Sequence, residues 1–487
     1  MKTLTSLLKG VNVTTRLPLD IPVGSVTSDS RHVWPGAAFV AIPGTKLNGN
    51  HYIPDAIQRG AAVIISNASD PKFLQNVMTP VVEVDNPRKA LSIMAANFYK
   101  HPSHDMEVIG VTGTNGKTTT AYHIRSILSA DDKKTGIIGT LGISGPGIDS
   151  SASLTTPDAM DLQKILKLFH DSGVTHVVME VSSHALELNR VDDVEFDLAV
   201  FTNLSQDHLD FHGSMEEYFK AKTKLFQNLQ KGAVAVINSD DEKASELLKI
   251  SNAKNVCFSK EGSSQVHFEN WGMSKNGITG IISTESGKLN ISSSLVGTYN
   301  LENILAAVTA GSEMGISHEV IEKGITACSQ VPGRTELFKM TNGGTVILDY
   351  AHTPDAFTKL FATLKMLLND NGKMWVIFGC GGERDKEKRP LMAKEAERFA
   401  NHIFITPDNP RTEEIEKINE DISNGFKENK HHFFESRGKA ISEAMGKLGP
   451  NDILAVLGKG REHYQMIGSE KIPYSDYDTI MRSADAD

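Results

Sequence analysis

Short apolar runs recur along this chain, separated by stretches whose apolar residues fall on one face of a helix. Ala38-Phe39-Val40-Ala41-Ile42 and Ala61 to Ile65 are such runs, broken by glycine and proline. From about Asp105 the alternation becomes regular. Glu107–Val111, Val177–Val181, Leu198–Phe201 and Ala233–Ile237 are strand candidates, with helix-like segments between them up to Val331. From Gly333 it resumes with Thr345–Leu348, Met374–Phe378, His402–Thr406 and Ile453–Leu457. Continuous apolar strands alternating with amphipathic helices predict an α/β fold with parallel sheets covered on both faces. A chain of 487 residues exceeds one hydrophobic core, and roughly three domains are expected. The pattern places them at 1–104, 105–332 and 333–487.

One strand runs into a glycine-rich turn. Val108, Ile109 and Val111 lead to Gly113-Thr114-Asn115-Gly116-Lys117-Thr118, and a helix-compatible segment follows. That layout suits a phosphate-binding loop: backbone N–H groups and a helix start face the phosphates, Lys117 reaches the terminal ones, and the Thr118 hydroxyl can ligate magnesium. The strict Walker pattern has glycine where Val111 stands, so this is a shorter variant.

Two further clusters follow strands. Glu180 ends the run Val177-Val178-Met179, where an acid is costly unless it meets a cation; it either supports magnesium beside the nucleotide or is a solvated strand end. His208, in Asn203-Leu204-Ser205-Gln206-Asp207-His208-Leu209-Asp210, is a metal ligand or a structural hydrogen-bonder. The segment Ser214 to Gln230 reads as a helix with Lys222 in its apolar stripe. Met215, Tyr218, Phe219, Leu225, Phe226 and Leu229 all fall within roughly 60° of Lys222 on the helical wheel, while Lys220 and Lys224 face solvent. A buried ammonium tends to lose its proton. Lys222 therefore snorkels or pairs with an acid, or its neutral amine takes up carbon dioxide as a carbamate able to bind magnesium.

Composition changes the picture by exclusion. The net charge of −10 and the pI near 6.0 argue against a nucleic-acid footprint. The cysteines Cys257, Cys328 and Cys380 are widely spaced and form no metal-ligand pair, which suits a reducing compartment. Met1-Lys2-Thr3-Leu4-Thr5 has no signal-peptide core, and no apolar run approaches ~20 residues. A cytoplasmic protein with no membrane insertion is expected.

The motifs taken together resemble the Mur ligases of peptidoglycan synthesis. The resemblance rests on Gly113 to Thr118, Glu180-Val-Ser-Ser-His184, Thr202 to Asp210 and Tyr218-x-x-Ala221-Lys222. Gly297-Thr-Tyr-Asn300-Leu-Glu-Asn303, Pro332-Gly333-Arg334, Asp349-Tyr350-Ala351-His352-Thr-Pro354 and Gly458-Lys459-Gly460 continue it nearly to the end of the chain. It implies a smaller N-terminal α/β domain for the UDP end, a central ATPase domain, and a C-terminal dinucleotide-fold-like domain for the incoming amino acid. A monomer acting on small molecules is expected. ATP phosphorylates a substrate carboxylate, and an amine then attacks the acyl phosphate. Both partners of the first step are anionic, so magnesium and a lysine must neutralise them. By resemblance, Lys117 clamps the phosphates, Thr118 and Glu180 hold one Mg2+, and His208 with carbamylated Lys222 holds the second. Asn303 is the implied adenine contact, Arg334 a phosphate contact and Asp349 a ribose contact.

Within the family, Thr27-Ser28-Asp29-Ser30-Arg31 is similar to the uridine-binding region of members that add the third residue. Thr155, Thr156, Ser182 and Arg190 match positions that grip the muramoyl-dipeptide, while Leu188 stands where glutamine is frequent. Asp408-Asn409-Pro410-Arg411 resembles the motif of members that add meso-diaminopimelate. Its distal carboxylate suits an arginine fork, which L-lysine has no group to meet. Arg384, Gly458 and Glu462 match the remaining contacts. The same residues also read locally as a helix start, with Asn409 as N-cap and Pro410 in the first turn. Arg461 stands where histidine is common and adds a cation near this pocket. The alternatives are the same reaction with L-lysine, a folate- or cyanophycin-type ligase, and a silent binding protein that keeps the fold.

Overall fold

The computed structural model describes residues 2–14, 20–44, 48–67, 78–151, 154–262, 264–369, 371–428 and 430–484. Three parallel-rich sheets organise them. The first has four parallel strands in chain order, Ser25–Thr27, Ala37–Val40, Val63–Ser66 and Val81–Glu83. Ala90, Leu91, Met94 and Ala95 of the Pro87–Tyr99 helix pack onto one face of it.

The second sheet has eleven strands. Seven run parallel, in the order Thr135–Gly139, His176–Glu180, Glu107–Thr112, Leu198–Phe201, Val234–Asn238, Lys254–Ser259 and Val266–Ser274. Both faces are covered. Along Glu107–Thr112, Val108 joins the core under the Ala159–Asp171 and Met215–Gln227 helices, while Ile109 and Val111 join the core under Lys117–Ala130 and Tyr299–Glu313. This two-sided burial explains why the strands read as unbroken apolar runs. The strand order reverses about Glu107–Thr112, so the loops after Thr112, Glu180 and Phe201 open into one crevice at the carboxyl ends of the strands.

The expectation of strands alternating with helices up to Val331 needs correcting. Val266–Ser274, Gly277–Thr284 and Gly287–Ser293 follow one another as an antiparallel meander at one edge of this sheet, and Gly142–Gly145 with Ile148–Ser150 forms a hairpin at the other. Their outer faces are exposed, so they carry alternating rather than continuous apolar residues and lack the signal of a buried strand.

The third sheet has six strands. Glu336–Lys339 pairs antiparallel at one edge, and Thr345–Asp349, Ile453–Leu457, Met374–Phe378, His402–Ile405 and His431–Phe433 continue it in parallel. The loops after Asp349, Phe378, Ile405 and Leu457 leave the same end of this sheet, and that end faces the crevice of the central one. No helix among the described residues is long and apolar enough to cross a membrane.

Candidate active site

The glycine-rich turn is pinned from the neighbouring strand. Thr114 N donates to Asn203 O at 2.8 Å, Asn115 N to Asn203 Oδ1 at 2.9 Å, and Thr202 Oγ1 to Asn115 O at 2.7 Å. Gly113 and Gly116 have φ of 149° and 87°. A Cβ at Gly113 would lie 1.9 Å from Thr202 Oγ1, and one at Gly116 would lie 2.3 Å from Asn303 Oδ1. Backbone angle and space both require glycine there. The Lys117–Ala130 helix starts at once, with its free N–H groups directed into the crevice.

Two amines meet at this turn. Lys117 Nζ donates to Gly113 O at 3.0 Å and to Thr114 O at 2.8 Å, and Lys222 Nζ donates to the same Gly113 O at 2.8 Å. Lys222 is 2% exposed, and its amine lies 4.4 Å from the Tyr218 ring centre. Burial, then the charge of Lys117, holds its proton affinity well below that of an ordinary lysine. The Met215–Gln227 helix accounts for this: Tyr218, Phe219, Leu225 and Phe226 are buried on the side that carries Lys222, while Lys220 is exposed. The helical period placed Lys222 correctly, and Ser214 caps the helix as its N-cap, accepting from Glu217 N.

Oxygen donors gather beside the two amines. Thr118 Oγ1 donates to Glu180 at 3.0 Å, Thr140 N reaches Glu180 Oε1 at 2.9 Å, and Arg334 Nη2 donates to Thr118 Oγ1 at 2.8 Å. Glu180 is buried, not a solvated strand end. Asn303 bonds Asn300 Oδ1 at 2.9 Å and accepts from Thr120 at 3.3 Å against the phosphate loop. Asp349 accepts from Thr335 N and Ala351 N, both at 2.6 Å, and burial raises its proton affinity. Both residues line the same cleft as the loop. Thr155 lines it too, Thr156 donates to Glu180 O at 2.8 Å, Ser182 N donates to Thr156 Oγ1 at 3.0 Å, and Arg190 donates to Thr156 O at 3.1 Å. Leu188 closes the Ser183–Glu187 helix and is half-buried. Ser30 sits in the Ser30–His32 turn beside the first sheet and is not among the residues lining this cleft.

His208 follows the central strand Leu198–Phe201 with φ of 55°. Burial lowers its pKa to about 2, so the imidazole is neutral and keeps a lone pair for a ligand. Its neighbour Asp207 carries a role that the sequence does not announce. Asp207 is 4% exposed and faces His352 Nε2 and Lys388 Nζ, each at 3.4 Å, both from the C-terminal sheet region. Burial alone would raise its pKa, but the hydrogen bond with His352 and the charge of Lys388 hold it well below the usual carboxylate value. Asp207 and His352 stand in family motifs, yet nothing local signals their pairing, and Lys388 lies in no motif.

Asp207 and His208 also line a second pocket, with Asp210, Arg384, Asp408, Asn409, Arg411, Gly458 and Glu462. Arg384 lies 3.6 Å from Asp210. Arg411 Nη1 donates to Gly382 O at 2.7 Å, and burial followed by the charge of Arg384 lowers its hold on its proton. Two neighbouring guanidiniums in a partly desolvated pocket call for an anion. The buried amine of Lys459 gathers Glu462 Oε2 at 2.7 Å, Asn409 Oδ1 at 3.2 Å and Asp408 Oδ1 at 3.4 Å. The helix-start reading of Asn409 and Pro410 is overturned: the helix begins at Ile415 after Glu414, and Arg411 takes a φ of 54° that breaks any earlier turn. Arg461 is occupied elsewhere, bonding Glu336 through Nε at 2.8 Å and stacking over Tyr477. It lines neither of these two pockets.

The sequence matches the Mur ligase family catalytic domain over residues 22–99, the Mur ligase middle domain over 111–311, and the Mur ligase glutamate ligase domain over 333–460. It is 38% identical to the UDP-N-acetylmuramoyl-L-alanyl-D-glutamate–2,6-diaminopimelate ligase of Bacillus cereus, covering 93% of this chain and 92% of that one. It is 40% identical to the ligase of the same name from Aquifex aeolicus, covering 94% and 93%. Among solved structures, one of an enzyme with that name superposes with a TM-score of 0.68 at 29% identity, over 100% of this chain and 99% of the other. A MurF ligase from Thermotoga maritima in complex with ADP shares the fold at 18% identity, with a TM-score of 0.64 over 95% and 97%. With relatives matched along nearly its whole length and a phosphate-loop crevice at the centre of its fold, this chain belongs to the Mur ligase family.

Proposed function

We propose that the protein joins meso-diaminopimelate to UDP-N-acetylmuramoyl-L-alanyl-D-glutamate in an ATP-dependent, cytoplasmic step of peptidoglycan precursor synthesis. The observation that carries this reading is the shared floor of Asp207 and His208, which joins the phosphate-loop cleft to the pocket of Arg384 and Arg411. The reading divides the work among a UDP-binding domain (1–104), an ATP-binding domain (105–332) and an amino-acid-binding domain (333–487) in a monomer.

Thr118 and Glu180 bring hard oxygen donors together, the kind magnesium selects. Magnesium held there, and a second ion on His208 and a Lys222 carbamate, would supply Lewis-acid neutralisation of carboxylate and γ-phosphate. Lys222 is suited to carbamylation because its amine is driven toward the neutral form. The nitrogen lone pair bonds the carbon of CO2, and the displaced N–H proton passes to solvent. Lys117 would clamp the phosphates, with Arg334 as a second cation from across the crevice. Asn303 and Asp349 would meet adenine and ribose. Ser30, Thr155, Thr156, Ser182 and Arg190 are assigned to the UDP-muramoyl-dipeptide. Arg384 and Arg411 would grip the distal carboxylate of diaminopimelate, and Glu462 and Asp408 its ammonium, within the loop formed by Asn409, Pro410 and Gly458.

Phosphate release from ATP tests the reading, measured with the UDP-muramoyl-dipeptide plus meso-diaminopimelate, L-lysine or no amino acid. Turnover with diaminopimelate alone is expected. Turnover with L-lysine alone would overturn the specificity, and none with either would overturn the reaction.

A further inference from the structure

The arginine assigned to the distal carboxylate does not hold its own conformation. Arg411 has a φ of 54°, a left-handed setting that non-glycine residues rarely adopt unaided. A small hairpin, Tyr464–Ile467 paired with Glu470–Pro473, supplies the support. Arg411 N donates to Met466 O at 3.0 Å, and Gly468 N donates to Arg411 O at 2.7 Å. Arg411 thereby bridges alongside Ile467 as an added strand position. Met466 N also donates to Asn409 Oδ1 at 2.9 Å. One side chain completes the clamp. Gln465 Nε2 donates to Pro407 O at 3.0 Å and to Asp408 O at 2.9 Å, so a single amide holds two successive carbonyls of the loop.

We propose that Gln465 is a positioning residue for amino-acid selection, holding the 407–411 loop so that the Arg411 guanidinium faces the carboxylate of the incoming amino acid. The inference rests on the assignment of Arg411 to that carboxylate. The loop's polar side chains answer to Lys459, but Lys459 fixes only side-chain ends; the backbone of Arg411 itself is bonded at both its N–H and its carbonyl by the hairpin, while Gly382 N and Glu413 N hold the carbonyls of Asn409 and Pro410. Removing both donors of Gln465 leaves two partly buried carbonyls without their partner and frees the loop to turn the guanidinium away.

The test is steady-state kinetics of Gln465→Met, which keeps length and removes the donors, and of Gln465→Glu, which sets acceptor against acceptor. We expect Gln465→Met to raise KM for meso-diaminopimelate about tenfold, with KM for ATP and the unfolding midpoint at their wild-type values. Gln465→Glu should raise it further. In an Arg411→Ala background, Gln465→Met should add nothing, because its effect passes through Arg411. An unchanged KM for diaminopimelate in both variants, an equal rise in KM for ATP, or full additivity with Arg411→Ala would each overturn the proposal. Arg411→Ala separates the two layers. If it lowers diaminopimelate turnover and the Gln465 variants do not, only the hairpin proposal falls. If it leaves the preference over L-lysine intact, the assignment of Arg411 falls and the proposal falls with it.

Discussion

The phosphate-loop crevice and the pocket of Arg384 and Arg411 are built in different ways, although they share Asp207 and His208. The phosphate-loop side of the first is assembled from strand ends of the central sheet, and Arg334, Asp349 and Tyr350 close it from the C-terminal side. Its loop is tied by backbone bonds to Thr202 and Asn203, and Glu180 meets Thr118 and Thr140 at hydrogen-bond distance. The second spans two sheets: Asp207, His208 and Asp210 come from the central one, Arg384, Arg411 and Glu462 from the C-terminal one. The phosphate loop is therefore preorganised within one sheet, while the arginine pocket takes its two guanidiniums from the C-terminal sheet region and part of its floor from the central one. Charge reflects the same division. Two lysines at one end share a carbonyl and are pushed toward neutrality; at the other, two arginines lie close enough to repel one another, with Asp210 3.6 Å from Arg384.

The contrast is most exposed to test at Lys222. Lys222→Ala should lower kcat by about 10²–10³-fold, the scale of losing one preorganised electrostatic partner in a closed site. A small carboxylate added in solution should restore part of it if the carbamate is what matters. Loss without rescue would leave Lys222 as a plain cation and remove that distinction between the two ends. Arg411→Ala comes next. It should lower kcat/KM for meso-diaminopimelate by about 100-fold, ~2.7 kcal/mol, and change that for L-lysine by less than about threefold. Equal losses with both amino acids would count against the view that the pocket reads a carboxylate.

A third measurement asks how rigid the nucleotide end is. His123, on the Lys117–Ala130 helix, is fully buried with neither ring nitrogen bonded, and burial lowers its pKa to about 4. Between pH 6.5 and 4 the unfolded chain takes up a proton there that the folded chain refuses. Stability is therefore full above pH 6.5 and is lost as the pH falls, by about 3 kcal/mol from this group. A His123→Leu variant should flatten the decline of the unfolding midpoint between those pH values; an unchanged slope would remove His123 as its source. The smallest effect is expected of Arg461→His. Because Arg461 is paired with Glu336 and lines neither site, KM for diaminopimelate should move by less than about threefold. A larger change would extend the amino-acid pocket to this residue.

Much of the nucleotide end is legible in the amino-acid sequence. Its strands are buried on both faces, so each reads as an apolar run. The turn between Thr112 and Lys117 has backbone angles and clearances open only to glycine. Lys222 stands out because one charge in an apolar stripe violates the helical period. The amino-acid end is legible only as motif resemblance. The local reading of Asn409-Pro410 even points to the wrong element, because the hairpin at 464–473 overrides the helix-start signal. The edge meander at 266–293 is equally hard to see in the sequence, since half-exposed strands alternate weakly.

Local pattern along the chain was enough to dictate the class of each domain, the phosphate loop, the acid that follows its neighbouring strand and the place of Lys222 in a buried stripe. These depend on steric and periodic rules that act over a few residues. Tertiary packing had to decide that Asp207 would gather His352 and Lys388, that Arg461 would spend its charge on Glu336, and that a hairpin would set the angle of Arg411. Those partners lie far apart along the chain. Their meeting depends on how whole sheets pack and on the cost of leaving a buried charge unpaired, which no local pattern encodes.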